Sequence, residues 1–221
     1  CVYNLLYRIG MTAFKNIICC LAATLTFISV SAQSVQDRFV SAAKNHCVEF
    51  SYSFVMHASA PVSGNGTAKV QGECFAVSGN GMKILCEGRT RWIVDEKARE
   101  VIVESVTGDE ESLMVDPALI VKDLNAHFKT VSSSAVMEKG QQLVKVQFAP
   151  RSSSAGISSM TIWFSEKNHN RPVIAKASLK MKDGTVTDFT VPSMSFAPLS
   201  SLSQYVFPTS GLDSSWVVTE L

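Results

Sequence analysis

Apolar positions along this chain recur with two different periods, and the changes of period mark out its elements. Ser34 can cap a helix, with Asp37 three residues on, and Val35, Phe39, Ala42, Ala43 and Cys47 then fall on one helical stripe. From Val48 the period drops to two. Val48, Phe50, Tyr52, Phe54 and Met56 share one face while Glu49, Ser51, Ser53 and His57 share the other, which predicts a half-buried strand with one strongly apolar side. Gly64-Asn65-Gly66 predicts a turn into a strand over 67–78. Gly79-Asn80-Gly81 tolerates positive φ and predicts a hairpin, and Glu87-Gly88 a second turn before a strand over 89–95 centred on Trp92. A turn near Glu96-Lys97 leads to a strand over 99–106, with Val101 and Val103 on one side.

The middle of the chain breaks this meander. Gly108-Asp109-Glu110-Glu111 reads as a solvated loop, and Asp116-Pro117 opens a helix whose apolar face is Leu119, Ile120, Val121, Leu124 and Phe128. Strand patterns resume at 143–148, 160–164, 173–181 and 185–191, the last two joined by the turn Lys182-Asp183-Gly184. Ser-rich stretches at 132–134, 152–154 and 200–203 predict loops. The sum is about eleven strands, mostly in antiparallel meanders, with one helix before them and one among them. Two helices cannot cover both faces of so long a sheet, so the sheet must curl on itself. The expected fold is therefore α+β, an unclosed antiparallel β-barrel with a helical lid; a flat two-sheet sandwich is the alternative.

The front of the chain predicts export. Met11 opens a stretch whose only charge is Lys15, the apolar run 17–30 follows, and Val30-Ser31-Ala32 forms a cleavage site with small residues where they are needed. Residues 1–32 are thus read as upstream residues plus a cleavable signal peptide, and 33–221 as a single domain. Cleavage removes two of the 20 basic residues and none of the 19 acidic ones, leaving one net negative charge. That balance, with no basic block, argues against nucleic acid as a partner, while the export signal predicts a soluble periplasmic protein, expected to be a monomer.

Catalytic patterns are missing. The sequence has no Gly-x-Ser-x-Gly elbow, no phosphate-cradling loop between a strand and a helix, and no His-Glu-x-x-His, so no enzyme, cofactor or metal is expected. Cys74 and Cys86 are placed symmetrically about Asn80. They face each other if the 79–81 turn closes a simple hairpin, as a disulfide or as two buried thiols, and a one-residue bulge would separate them. What the sequence offers instead is apolar surface: Phe50, Tyr52, Phe54 and Met56 on one strand, and Val70, Cys74 and Ala76 facing Met82 and Ile84. A one-residue slip would present Lys83 and Leu85 in place of Met82 and Ile84.

Several segments, in order, resemble one family. They are the first helix with Phe50-Ser51-Tyr52-Ser53-Phe54, Gly64-x-Gly66, Glu87-Gly88-Arg89-Thr90-Arg91-Trp92, Asp116-Pro117-Ala118-Leu119-Ile120, Asp183-Gly184-Thr185-Val186-x-x-Phe189 and Tyr205-Val206-Phe207-Pro208. Together they are similar to the periplasmic outer-membrane lipoprotein carrier family (LolA-like), of which the chain would be a divergent member. The resemblance implies an unclosed barrel whose apolar cavity takes the acyl chains of lipoproteins or another lipid. It implies two further partners, an inner-membrane releasing transporter and an outer-membrane acceptor, and a closing strand at 205–208. On that reading Phe39 and the helix with Leu119, Ile120 and Leu124 form the lid, and Phe50, Tyr52, Phe54, Met56, Met82, Ile84 and Trp92 the wall. A lipid-sensing or protein-binding adaptor of the same fold is the alternative function. Where the family carries an Arg-Pro pair in its second strand, whose Arg latches the lid, this chain reads Gly72-Glu73.

Overall fold

The computed structural model describes residues 33–106, 120–152 and 156–221. The expected signal segment with Met11 and Ala32, the loop at 108–111, the helix opening at Asp116-Pro117 and Leu119 lie outside the described residues. From Ser34 to Leu221 the chain forms one compact unit.

Helix α1 (Val35–Lys44) starts where the pattern places it, with Ser34 Oγ accepting the N–H of Asp37 at 3.3 Å. Val35, Phe39, Val40 and Ala43 are buried. Cys47 does not continue the stripe. Asn45 ends the helix at φ −110°, and Cys47 opens strand β1 (Cys47–His57).

Twelve strands among the described residues form one continuous sheet. After β1 come β2 (Val62–Gln71), β3 (Cys74–Gly79), β4 (Met82–Cys86), β5 (Thr90–Asp95) and β6 (Glu100–Ser105). A four-residue helix, α2 (Leu124–His127), leads into β7 (Phe128–Glu138), followed by β8 (Gln141–Pro150), β9 (Ile157–Ser165), β10 (Val173–Met181), β11 (Val186–Ala197) and β12 (Val217–Glu220). The order is β12-β6-β5-β4-β3-β2-β1-β11-β10-β9-β8-β7, two meanders joined where β1 pairs with β11. β12 and β7 stand at opposite ends of this order and do not pair, so the sheet is unclosed, as expected. All strands belong to one sheet, which rules out the sandwich. Every pairing is antiparallel except β12 on β6.

Five expectations about elements are corrected. Gly64-Asn65-Gly66 is not a turn but lies inside β2, paired across to Phe54, Ser53 and Tyr52. The strand expected over 67–78 is two strands, broken by a turn in which Gly72 takes φ +61°. Ser132, Ser133 and Ser134 belong to β7, where a strand with only β8 beside it needs no apolar face. Phe128 opens that strand instead of closing a helical face, because the helix is interrupted at Asp123. Residues 205–208 are not a strand: a single 3-10 turn, Leu202–Tyr205, buries Tyr205, and the last strand is β12.

The core sits on the inner face. Phe39 of α1 packs 5.6 Å from the Phe164 ring and 6.2 Å from Phe196, in one cluster with Val48, Phe75, Phe128 and Phe148. Elements far apart in the sheet order share this cluster, so the sheet is curled. A second, smaller cluster holds Trp92, Val94 and Val101 under Val206, Phe207, Leu212 and Trp216 of the chain's last segment.

Candidate functional site

The curled sheet leaves a cavity of about 370 Å³ on its inner face. Its origin lies in the register of β1 with β2. Phe50 faces Ala68, Tyr52 faces Gly66, Phe54 faces Gly64 and Met56 faces Val62. Large inward side chains of one strand thus lie beside the smallest residues of the next. A Cβ on Gly64 would come within 2.7 Å of the Phe54 ring, and one on Gly66 within 2.8 Å of Tyr52 Oη. The glycines let both rings lean over β2, so space opens on the other side of β1.

There β11 and β10 supply Phe189, Val191, Met194, Ile174, Ala177 and Leu179, while Val77 of β3 and Ile84 of β4 close the far side. Opposite Tyr52 the β1–β11 register shifts: Ser51 pairs with Ser193 but Ser53 with Thr190, so two residues, Val191 and Pro192, oppose one. Pro192 has no N–H to offer a ladder, and such a bulge is where a strand tolerates it. Exposure grades along the wall from Ala68 at 3% to Val62 at 52%, which places the floor and the mouth.

A helical cover lies over the cavity. Ile120 and Val121 line it, and Leu124 of α2 is buried beside them. Lys122, next to these two lining residues, pairs with Glu73 of the β2–β3 turn. Gly72-Glu73 is the pair that stands where the resemblance expects an Arg-Pro pair. Asn125 Nδ2 donates to Asp37 Oδ1 at 2.6 Å, tying the cover to α1, and Gln36 Nε2 donates to Thr130 Oγ1 at 3.0 Å. Arg38 pairs with Glu166 at the end of β9.

The structure brings together six of the residues expected at the site: Phe50, Tyr52, Phe54, Met56, Ile84 and Ile120 all line the cavity. Phe39 and Leu124 are fully buried in the adjoining core and do not line it. Met82 shares the Ile84 face but is 37% exposed and lies beyond the lining. Trp92 is corrected outright. Ile84 pairs with Ile93 and Leu85 with Trp92, so alternation sends Trp92 to the opposite face.

The expected facing of Cys74 and Cys86 is also corrected. The hairpin loop is two residues, Asn80 (φ 54°) and Gly81 (φ 84°), not three. Gly79 then pairs with Met82, and Cys86 with Phe75, which puts Cys74 and Cys86 on opposite faces. Neither is in a disulfide.

The lining residues that sequence reasoning missed are Val62, Ala68, Val77 and Val121, together with those of β10 and β11. Their signal was readable on β2: Val62, Gly64, Gly66, Ala68 and Val70 alternate with Ser63, Asn65, Thr67 and Lys69. That is a strand whose inward row is deliberately small. Among the described residues no group of three or more His, Cys, Asp or Glu is placed to hold a metal, and no helix is long and apolar enough to cross a membrane.

Fold and cavity define a class by themselves: an unclosed antiparallel sheet curled round an apolar cavity under a helical cover. Solved structures similar to the chain include a LolA superfamily protein from Nitrosomonas europaea, at 12% identity over 80% of this chain and 97% of that one, TM-score 0.43. A DUF1329 family protein from Desulfovibrio piger is similar at 9% identity over 77% and 94%, TM-score 0.46. Lipoprotein LppX of Mycobacterium tuberculosis is similar at 12% identity over 79% and 100%, TM-score 0.38. No protein-family model matches the chain, and no curated protein matches it. At such identities function has to be argued from the cavity.

Proposed function

We propose that the protein is a periplasmic carrier that shelters the acyl chains of lipoproteins, or of another lipid, in this cavity during transfer to the outer membrane. The observation that carries the reading is the paired row on β1 and β2. Glycine and alanine stand opposite aromatic residues at consecutive inward positions, so the space is written into the chain at the one place where a packed core would want bulk. About 370 Å³ falls at the small end of the ~300–1,000 Å³ range of ligand sites.

The energetics suit a carrier. Enclosing about ten methylenes gains about 8 kcal/mol, and association costs at least about 4 kcal/mol, which leaves a few kcal/mol per chain. Cargo held that weakly can be handed on. The ordered sequence resemblance supplies the rest of the proposal: an exported, monomeric protein loaded by an inner-membrane transporter and unloaded by an outer-membrane acceptor. The reading assigns the site no reaction and no cofactor.

Replacing Phe54 by Glu puts a carboxylate on the inward row between Tyr52 and Met56, against an apolar wall. Titration with a fluorescent fatty-acyl probe should show binding by the parent protein and none by Phe54→Glu, with unchanged far-ultraviolet circular dichroism. Equal binding by both proteins, or none by the parent, would sink the proposal.

A further inference from the structure

Among the described lining residues Tyr52 alone carries a side-chain oxygen or nitrogen. The chain has made room for it on both flanks, with Gly66 on one side and the Val191-Pro192 bulge on the other. Its ring lies tilted at 6.3 Å from Phe50, and its hydroxyl lies over Gly66. No described residue hydrogen-bonds that hydroxyl. Burial pushes the phenol pKa up, so it is protonated at neutral pH and stands ready as a donor. Phe would fill the same space without the oxygen, and Phe is what the chain uses at both neighbouring inward positions, 50 and 54. The hydroxyl is not sealed from solvent, so an occupant bringing an acceptor replaces water at this donor, against an apolar wall where the bond is stronger.

We infer that Tyr52 determines the specificity of the cavity, its hydroxyl donating a hydrogen bond to the carbonyl oxygen of an acyl ester or amide. The cavity then selects acyl chains over hydrocarbons of equal length that lack a carbonyl. Tyr52 stands midway along the inward row, so the carbonyl is drawn inside the mouth together with the chain. The inference rests on the carrier reading, and it names what that carrier distinguishes.

The test is displacement of a bound N-phenylnaphthylamine probe from the parent protein and from Tyr52→Phe. The competitors are methyl laurate, an alkane of matched length, a dipalmitoylated lipopeptide and phosphatidylethanolamine. Tyr52→Phe should weaken methyl laurate about three- to tenfold and leave the alkane unchanged. The lipopeptide and phospholipid arms show which source of acyl carbonyl loses affinity with the ester. If the ester and the alkane change together, or neither changes, Tyr52 has no such role although the carrier reading stands. If no competitor displaces the probe from the parent protein, both fall.

Discussion

Gly66→Ala probes the origin of the cavity most sharply. Gly66 takes an ordinary strand conformation, so alanine is allowed by the backbone and, other things equal, would stabilise the strand by about 0.5–1 kcal/mol. The surroundings reverse the sign. A Cβ at this position would collide with the backbone carbonyl oxygen of Ser78 and come within 2.8 Å of Tyr52 Oη. A tyrosine side chain can swing, but a carbonyl in the β2–β3 ladder moves only if the strands part. Overpacking of this kind costs about 1–3 kcal/mol, so the net loss should be about 1–2 kcal/mol. Gly64→Ala is the control. Its Cβ would meet the Asn80 side chain and the Phe54 ring, and side chains can yield. Its stability should stay within about 0.5 kcal/mol of the parent, because the propensity gain offsets the crowding. Urea unfolding followed by tryptophan fluorescence measures both, with the slope m unchanged. Gly64→Ala should instead lower probe affinity, by pushing Phe54 into the cavity, and that loss should vanish in a Phe54→Leu background. A Gly66→Ala protein as stable as the parent would refute the close approach of the Ser78 carbonyl to Gly66.

Other consequences follow from single contacts. Glu73→Gln removes the charge that pairs with Lys122 beside the cover; the pair is partly exposed, so stability should change by less than about 1 kcal/mol while probe exchange becomes faster and loses its salt dependence. In protein lacking residues 1–32, unfolded without reductant, thiol titration should find Cys47, Cys74 and Cys86 all reactive; one reactive thiol would mean a disulfide. Tyr205 is fully buried, its hydroxyl 3.4 Å from Cys47 Sγ, and burial first, then the bond to Cys47, raise its pKa above the ordinary 10.0. The folded state therefore holds this proton more tightly than the unfolded state. The Tyr205 contribution to stability should be flat below pH 10 and fall above it, by up to about 1.4 kcal/mol per pH unit, and Tyr205→Phe should reduce the slope there.

Local signals in the sequence located most of the strands that build the site. The alternation from Val48 to Met56 identified the inward row of β1, because a half-buried strand shows its burial directly. Ser34, Asn80-Gly81 and Lys182-Asp183-Gly184 marked a cap and two turns whose chemistry is local. What stayed hidden depended on neighbours. Gly64 and Gly66 read as a turn because glycine usually means one; only the rings across the strand pair show that they are there for lack of a side chain. The faces of Cys74 and Cys86 turned on a loop of two residues against three, and that of Trp92 on the register of β4 with β5. The edge strand β7 and the parallel β12 carry no apolar alternation, since both sit at the margins of the sheet. Six of the sixteen described lining residues come from β10 and β11, whose rows were legible as strands but not as neighbours of β1 in one sheet.

Mass spectrometry of organic extracts from protein exported and purified without detergent measures the cargo itself. An acyl-bearing lipid or acylated peptide close to one per protein, lost in Phe54→Glu, is the predicted result. A parent protein that yields no lipid and whose interior excludes apolar dyes would contradict the account.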